Sequence, residues 1–189
     1  MRREYRNIEE LIRKNFKEED KETQNLIDEL RRDERSRGRL TKDKLIRIDE
    51  WKTPTLRNQH RILQNSEEEV IKISEYAFST TDEEKKIEVL TKLKGVGIPV
   101  ASAILMLTDP SNYGVIDRRA WEVLSLYSDE LVKSKKSFSS KDWVTYLKIL
   151  RELAQEFEVI PRDIERTLYL YHEEYMKKEK ERIRAKLDY

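Results

Sequence analysis

The chain has 189 residues, 37% of them apolar, which is enough for a single domain with a real core. No apolar run approaches the ~20 residues of a membrane span, and residues 1–15 lack the apolar stretch of a secretory leader, so a soluble cytoplasmic protein is expected. Without cysteine there can be no disulfide, thiolate metal site, iron–sulfur cluster or cysteine nucleophile, and the two histidines, His60 and His172, are too far apart in sequence to suggest a metal site.

Charged residues make up 41% of the chain, yet 39 basic and 38 acidic side chains nearly cancel. That balance suits a helical surface laced with ion pairs, and its density suits a heat-adapted source. Any basic footprint for a nucleic acid must therefore be local.

Glycine and proline are sparse, four each, and the helical period dominates. Ile8, Leu11, Ile12 and Phe16 mark a first amphipathic helix. Leu26, Ile27 and Leu30 mark a second, ending in the charged stretch 31–39. Thr41 reads as the N-cap of a third, carrying Leu45, Ile46, Ile48 and Trp51. Pro54 suits the first turn of a fourth, over 54–64. Ser66 and Glu69 form a capping box for a fifth, with Val70, Ile73, Tyr76 and Ala77 inward. Thr81 or Asp82 opens a sixth, with Ile87, Leu90 and Leu93 apolar.

After a turn at 94–97, residues 99–107 continue as a helix rich in small side chains. Residues 109–114 form a loop, and Asp117 caps a helix reaching about Tyr127. Ser139 or Ser140 caps the helix 141–157, whose apolar face holds Trp143, Tyr146, Leu147, Leu150 and Leu153. Pro161 opens a long last helix with a nearly all-charged end, 177–186. No hairpin signal for strands and no internal repeat is present, so the fold is expected to be all-α.

The turn Lys94-Gly95-Val96-Gly97 carries the chemistry. Two glycines permit a tight turn and close approach of another surface, and the amides at the start of the following helix can hold a phosphate oxygen. The same sequence also fits an ordinary helix–helix turn with a glycine C-cap.

Residues 93–121, LKGVGIPVASAILMLTDPSNYGVIDRRAW, resemble the helix-hairpin-helix DNA glycosylase superfamily, the endonuclease III-like enzymes. Ala101 matches the family's small residue, Ile116 its apolar residue and Asp117 its aspartate, 20 positions after Gly97. The resemblance covers about 29 residues. It implies a two-lobed all-α fold, with residues 41–107 as the hairpin lobe and 1–40 with 108–189 as the second. It also implies a site between the lobes, with Asp117 as the catalytic carboxylate.

Bifunctional members carry a nucleophilic lysine two positions past the second hairpin glycine, where this chain has Pro99. A monofunctional N-glycosylase without lyase activity is therefore implied, acting in base excision repair. Cleaving an N-glycosidic bond places positive charge on the sugar, which a carboxylate can offset while it activates water.

Lys92, Lys94, Gly95, Val96, Gly97, Arg118 and Arg119 are the expected DNA contacts. Tyr113 and Trp51 are candidates for stacking on a flipped base, whereas Trp121 reads as core. His60 sits on a polar helix surface, and His172 is assigned no chemistry. The expected partner is double-stranded DNA with a flipped base, bound by a monomer. No cofactor is expected, although a monovalent cation held by the hairpin main chain would be in keeping with the resemblance. Asp117 also fits a plain N-cap. A noncatalytic DNA-binding protein of this fold, or a helical interaction protein in which the glycines only make a turn, is the alternative.

Overall fold

The computed structural model describes residues 1–32 and 38–187, and the described residues are helical with no strand. Of the charged stretch 31–39, residues 33–37 lie outside the described residues. In chain order the helices are α1 (Ile8–Asn15), α2 (Lys21–Arg32), α3 (Lys42–Lys52), α4 (Gln59–Ile62) and α5 (Glu67–Ser79). They continue with α6 (Glu83–Leu90), α7 (Ile98–Thr108), α8 (Arg118–Leu124), α9 (Ser140–Phe157) and α10 (Pro161–Leu187).

Side-chain caps fix where most of these helices begin. Thr41, Asp82 and Asp117 each accept a hydrogen bond from an amide in the first turn of their helix. Ser66 with Glu69, and Ser139 with Asp142, form reciprocal capping boxes. Each such cap is worth about 1 kcal/mol.

The fourth helix is much shorter than the periodicity predicts. Leu56 has φ 53°, a left-handed conformation that a continuous helix from Pro54 cannot contain. Residues 53–58 therefore form turns, and only Gln59–Ile62 is α-helical. Tyr76, expected inward, is 47% exposed, with the Lys85 ammonium 5.3 Å from its ring centre. Its apolar ring is shielded by a cation rather than by the core.

Helix α7 organises the interior, since residues 100–107 are all buried. A helix apolar on every side needs neighbours on every side, and α2, α3, α6 and α9 supply them. One group of helices, α2 to α7, contains the 94–97 turn, which joins α6 to α7. The other consists of α1, α8 and α9 packed on α10. Helix α2, expected in the second lobe, packs on α7 through Leu26, Ile27 and Leu30. No helix among the described residues is long and apolar enough to cross a membrane.

A candidate active site between the two helix groups

The 94–97 turn is built by its neighbours as much as by its glycines. Gly95 has φ +84°, and a Cβ there would meet Arg61 Cβ and the Ile62 side chain at 3.1 Å. The Asn65 side chain clamps the turn, accepting from the Lys94 amide at 2.8 Å and donating to the Lys94 carbonyl at 3.0 Å. Gly97 differs. It caps α7 in extended backbone and is exposed, and a Cβ there would meet only Pro99 Cδ, at 3.9 Å.

The Val96 amide is spent on Leu93. Among the described residues, the amides of Gly95, Gly97 and Ile98 donate no hydrogen bond. They are unspent donors at and just before the N-terminus of α7. Lys92 and Lys94 are exposed beside them, as are Arg57, His60 and Arg61 on the neighbouring segment.

Ser102 ties this turn to Asp117. Its hydroxyl accepts from the Ile116 amide at 3.1 Å and donates to the Pro99 carbonyl at 2.8 Å. The loop before α8 is thereby fixed to the first turn of α7. Gly114 lets the same loop pass close to the second group. A Cβ at Gly114 would lie 2.7 Å from Leu150 Cδ1 and 3.2 Å from the Pro161 carbonyl oxygen.

Asp117 lines a pocket of about 280 Å³ between the start of α2, the end of α3 and the first turns of α10. Its Oδ1 accepts from the Arg119 amide at 2.9 Å, and its Oδ2 faces Lys52 Nζ at 3.0 Å. Burial alone would raise its pKa. The Lys52 ammonium and the Arg119 amide outweigh burial and hold the carboxyl below the usual aspartate range.

Exposure falls from Asp117 (24%) through Lys52 (14%) to Glu165 (3%), so the three mark the mouth, the wall and the floor. Arg162 holds Glu165 and also donates from Nε to Glu19 Oε2 at 2.5 Å, and Arg166 joins the same Glu19 at 2.6 Å. Burial pushes the Glu165 carboxyl upward against the pull of Arg162 and Lys52.

Two aromatic side chains line this pocket, Trp51 and Tyr169, and Trp51 stands beside Lys52. Trp51 Nε1 donates to Thr23 Oγ1 at 3.1 Å, and the Arg162 guanidinium lies 5.5 Å from its ring centre. Tyr113 is elsewhere. It is buried, stacks on Trp143 and accepts from Lys86 Nζ at 2.6 Å. It lines a separate hollow of about 380 Å³ that includes neither Asp117 nor Lys52, so its expected place beside a flipped base is not realised. Apolar stacking on α9 outcompetes exposure in the loop.

Arg119 is also committed, bonded to Tyr169 and to Glu173 Oε1 at 2.5 Å. Arg118 remains exposed. Trp121 is core, stacked on Tyr146, and His172 pairs with Glu122 at 2.9 Å.

Of the charged residues lining the pocket, the sequence singles out Asp117 but not Asp20, Lys52, Arg162, Glu165 or Arg166. Nothing in their local sequence separates them from the other charges. Leu56, an apolar side chain 44% exposed two positions after the pocket residue Pro54, is likewise not signalled by the sequence. No group of His, Asp and Glu suited to hold a metal occurs among the described residues. No family model, curated protein or solved structure matches this chain.

Proposed function

We propose that the chain is a DNA N-glycosylase acting by hydrolysis, with Asp117 as its catalytic carboxylate. One observation supports this reading above the others: a carboxylate held below the usual aspartate range and fixed at a helix start lines a pocket, and its loop is tied through Ser102 to the first turn of the helix that follows the glycines. The 280 Å³ volume lies near the low end of small-ligand pockets, which run about 300–1,000 Å³, a scale suited to one base. The turn amides of Gly95 and Gly97, with Lys92, Lys94 and Arg118, would hold the backbone phosphates. Trp51 would stack on the displaced base, and exposed Leu56 would fill the gap it leaves in the duplex.

Asp117 offsets the positive charge growing on the sugar and accepts a proton from the attacking water. Pro99 supplies no amine. The lysine within the pocket, Lys52, is ion-paired to Asp117, and a paired ammonium has no lone pair with which to attack.

The same ion pair favours a second reading, DNA binding without catalysis, because Lys52 already partly neutralises the carboxylate. Base release separates the two. Duplexes carrying deaminated, oxidised, alkylated or mismatched bases are incubated with the protein, and abasic sites are scored by alkaline cleavage. Release by the wild type that Asp117→Asn abolishes supports the glycosylase. Duplex binding with no release from any substrate leaves the binding protein. A borohydride-trapped adduct on preformed abasic DNA would overturn the hydrolytic mechanism.

A further inference from the structure

Glu165 has no part in the chemistry just described, yet it is the deepest charged group of the pocket. Its Oε2 is taken by Arg162. Its Oε1 makes no hydrogen bond among the described residues, yet it is not sealed in the way that both oxygens of core Asp49 are. The described cavity that Glu165 lines is the one that opens past Asp117. Arg162 lines the same cavity. It donates from Nε, Nη1 and Nη2 to Glu19 and Glu165, which leaves two of its five N–H groups unused. One cavity is thus lined by an unspent acceptor, Glu165 Oε1, by a guanidinium with N–H groups to spare, and by the flat ring of Trp51.

We propose, building on the glycosylase reading, that Glu165 and Arg162 read the inserted base and select lactam and imide bases, such as uracil, hypoxanthine and oxidised guanine. In these bases a ring N–H stands next to a carbonyl. The N–H donates to Glu165 Oε1, and the carbonyl accepts from Arg162. Both floor groups are then satisfied by one edge of the base.

An amino-type base fits the floor less well. Adenine and cytosine set an exocyclic NH₂ beside a ring nitrogen that carries no proton. When one amino N–H meets Oε1, the second finds no acceptor on Glu165, whose Oε2 is held by Arg162, and an unpaired donor among buried groups is costly. The ring N–H is also the more acidic donor and bonds a carboxylate more strongly. A site built on such a bond rejects ligands that lack it.

The test measures binding, so it does not depend on turnover. Duplexes carry one central 2′-fluoroarabino nucleotide, whose glycosidic bond resists cleavage, with uracil, hypoxanthine, cytosine or adenine as its base. Affinity is read by fluorescence anisotropy. Wild type is expected to bind the uracil and hypoxanthine duplexes on the order of tenfold more tightly than the cytosine and adenine duplexes. Glu165→Gln, checked for an unchanged circular dichroism spectrum, should shrink that ratio to below about threefold.

A second arm needs no variant. Duplexes with N3-methyluracil or N1-methylhypoxanthine keep the ring and carbonyls but replace the N–H, and wild type should lose its preference for them. Equal wild-type affinity for the methylated and parent bases, or for all four bases, overturns the selection by Glu165 and leaves the glycosylase reading to its own assay. Failure to bind any duplex overturns both.

Discussion

The 94–97 turn and the Asp117 pocket are neighbours joined through Ser102, yet they are built on opposite principles. The turn presents main-chain donors, held by a left-handed Gly95 and the Asn65 clamp, within a short run of sequence. The pocket presents side chains from four distant segments, around residues 20–23, 51–54, 115–117 and 162–170. Substitution at the turn should therefore act through backbone geometry and close approach. In the pocket it should act through charge.

The largest expected effect belongs to the pocket. Asn at position 117 can still cap α8 but cannot offset an oxocarbenium charge. Asp117→Asn should lower the rate of base release about a hundredfold or more, several kcal/mol of barrier, at unchanged duplex affinity. A fall in affinity with an unchanged single-turnover rate would place Asp117 with the turn as a binding group.

Gly114 joins the two regions and should give the next largest effect. A side chain there meets Leu150 at 2.7 Å and a backbone carbonyl oxygen at 3.2 Å, and the carbonyl has little room to yield. Gly114→Ala is expected to cost about 1–3 kcal/mol of stability in denaturant melts. A neutral substitution would show that the 113–117 loop can move, and that the rigid placement of Asp117 has another source.

These differences explain which parts of the molecule the sequence discloses. The caps at Thr41, Ser66, Asp82, Asp117, Ser139 and the Pro161 start are local, since one or two side chains decide each of them, and they are readable. The Gly95 turn is readable for the same reason. Leu56 removes the start of the predicted fourth helix, because nothing in Thr-Leu-Arg announces a left-handed leucine. Tyr113 is misread because its loop runs to Asp117 while its ring turns towards Trp143. Lys52 and Glu165 become partners of Asp117 only through packing, 65 and 48 positions away in sequence. In a chain that is 41% charged, a pair at such separation leaves no pattern.

The glycines can sharpen the comparison within the turn itself. At Gly95 a side chain would disturb the fold, because φ is +84° and Arg61 and Ile62 stand at 3.1 Å. At Gly97 the fold offers open space, so any penalty must come from what approaches the turn. Gly97→Glu should leave the thermal midpoint within a few degrees while weakening duplex binding about tenfold or more. Lys94→Ala, the loss of one phosphate contact by an exposed side chain, should cost less and reduce the salt dependence by about one ion. If Lys94→Ala weakens binding more than Gly97→Glu does, side-chain charge rather than the main chain carries the phosphate contact.

The smallest effect is a shift in pH dependence, and it tests what Lys52 does for the pocket. In the proposed hydrolysis Asp117 acts as the ionised carboxylate. Burial raises its pKa, while Lys52 and the Arg119 amide lower it further, so the folded value lies below the usual aspartate range. Activity that needs the carboxylate is then full at neutral pH and falls only as pH drops through that depressed value. Lys52→Gln keeps a polar side chain but removes the charge 3.0 Å from Oδ2. Burial then weighs more heavily, the Asp117 pKa rises, and the acid limb of the rate profile should move to higher pH. The same substitution lifts the neutralising ammonium from the carboxylate, so the plateau rate at neutral pH should stay equal or increase. An acid limb that does not move would mean that the Arg119 amide alone keeps Asp117 ionised. A plateau that collapses with the fold intact would mean that Lys52 takes part in the reaction itself.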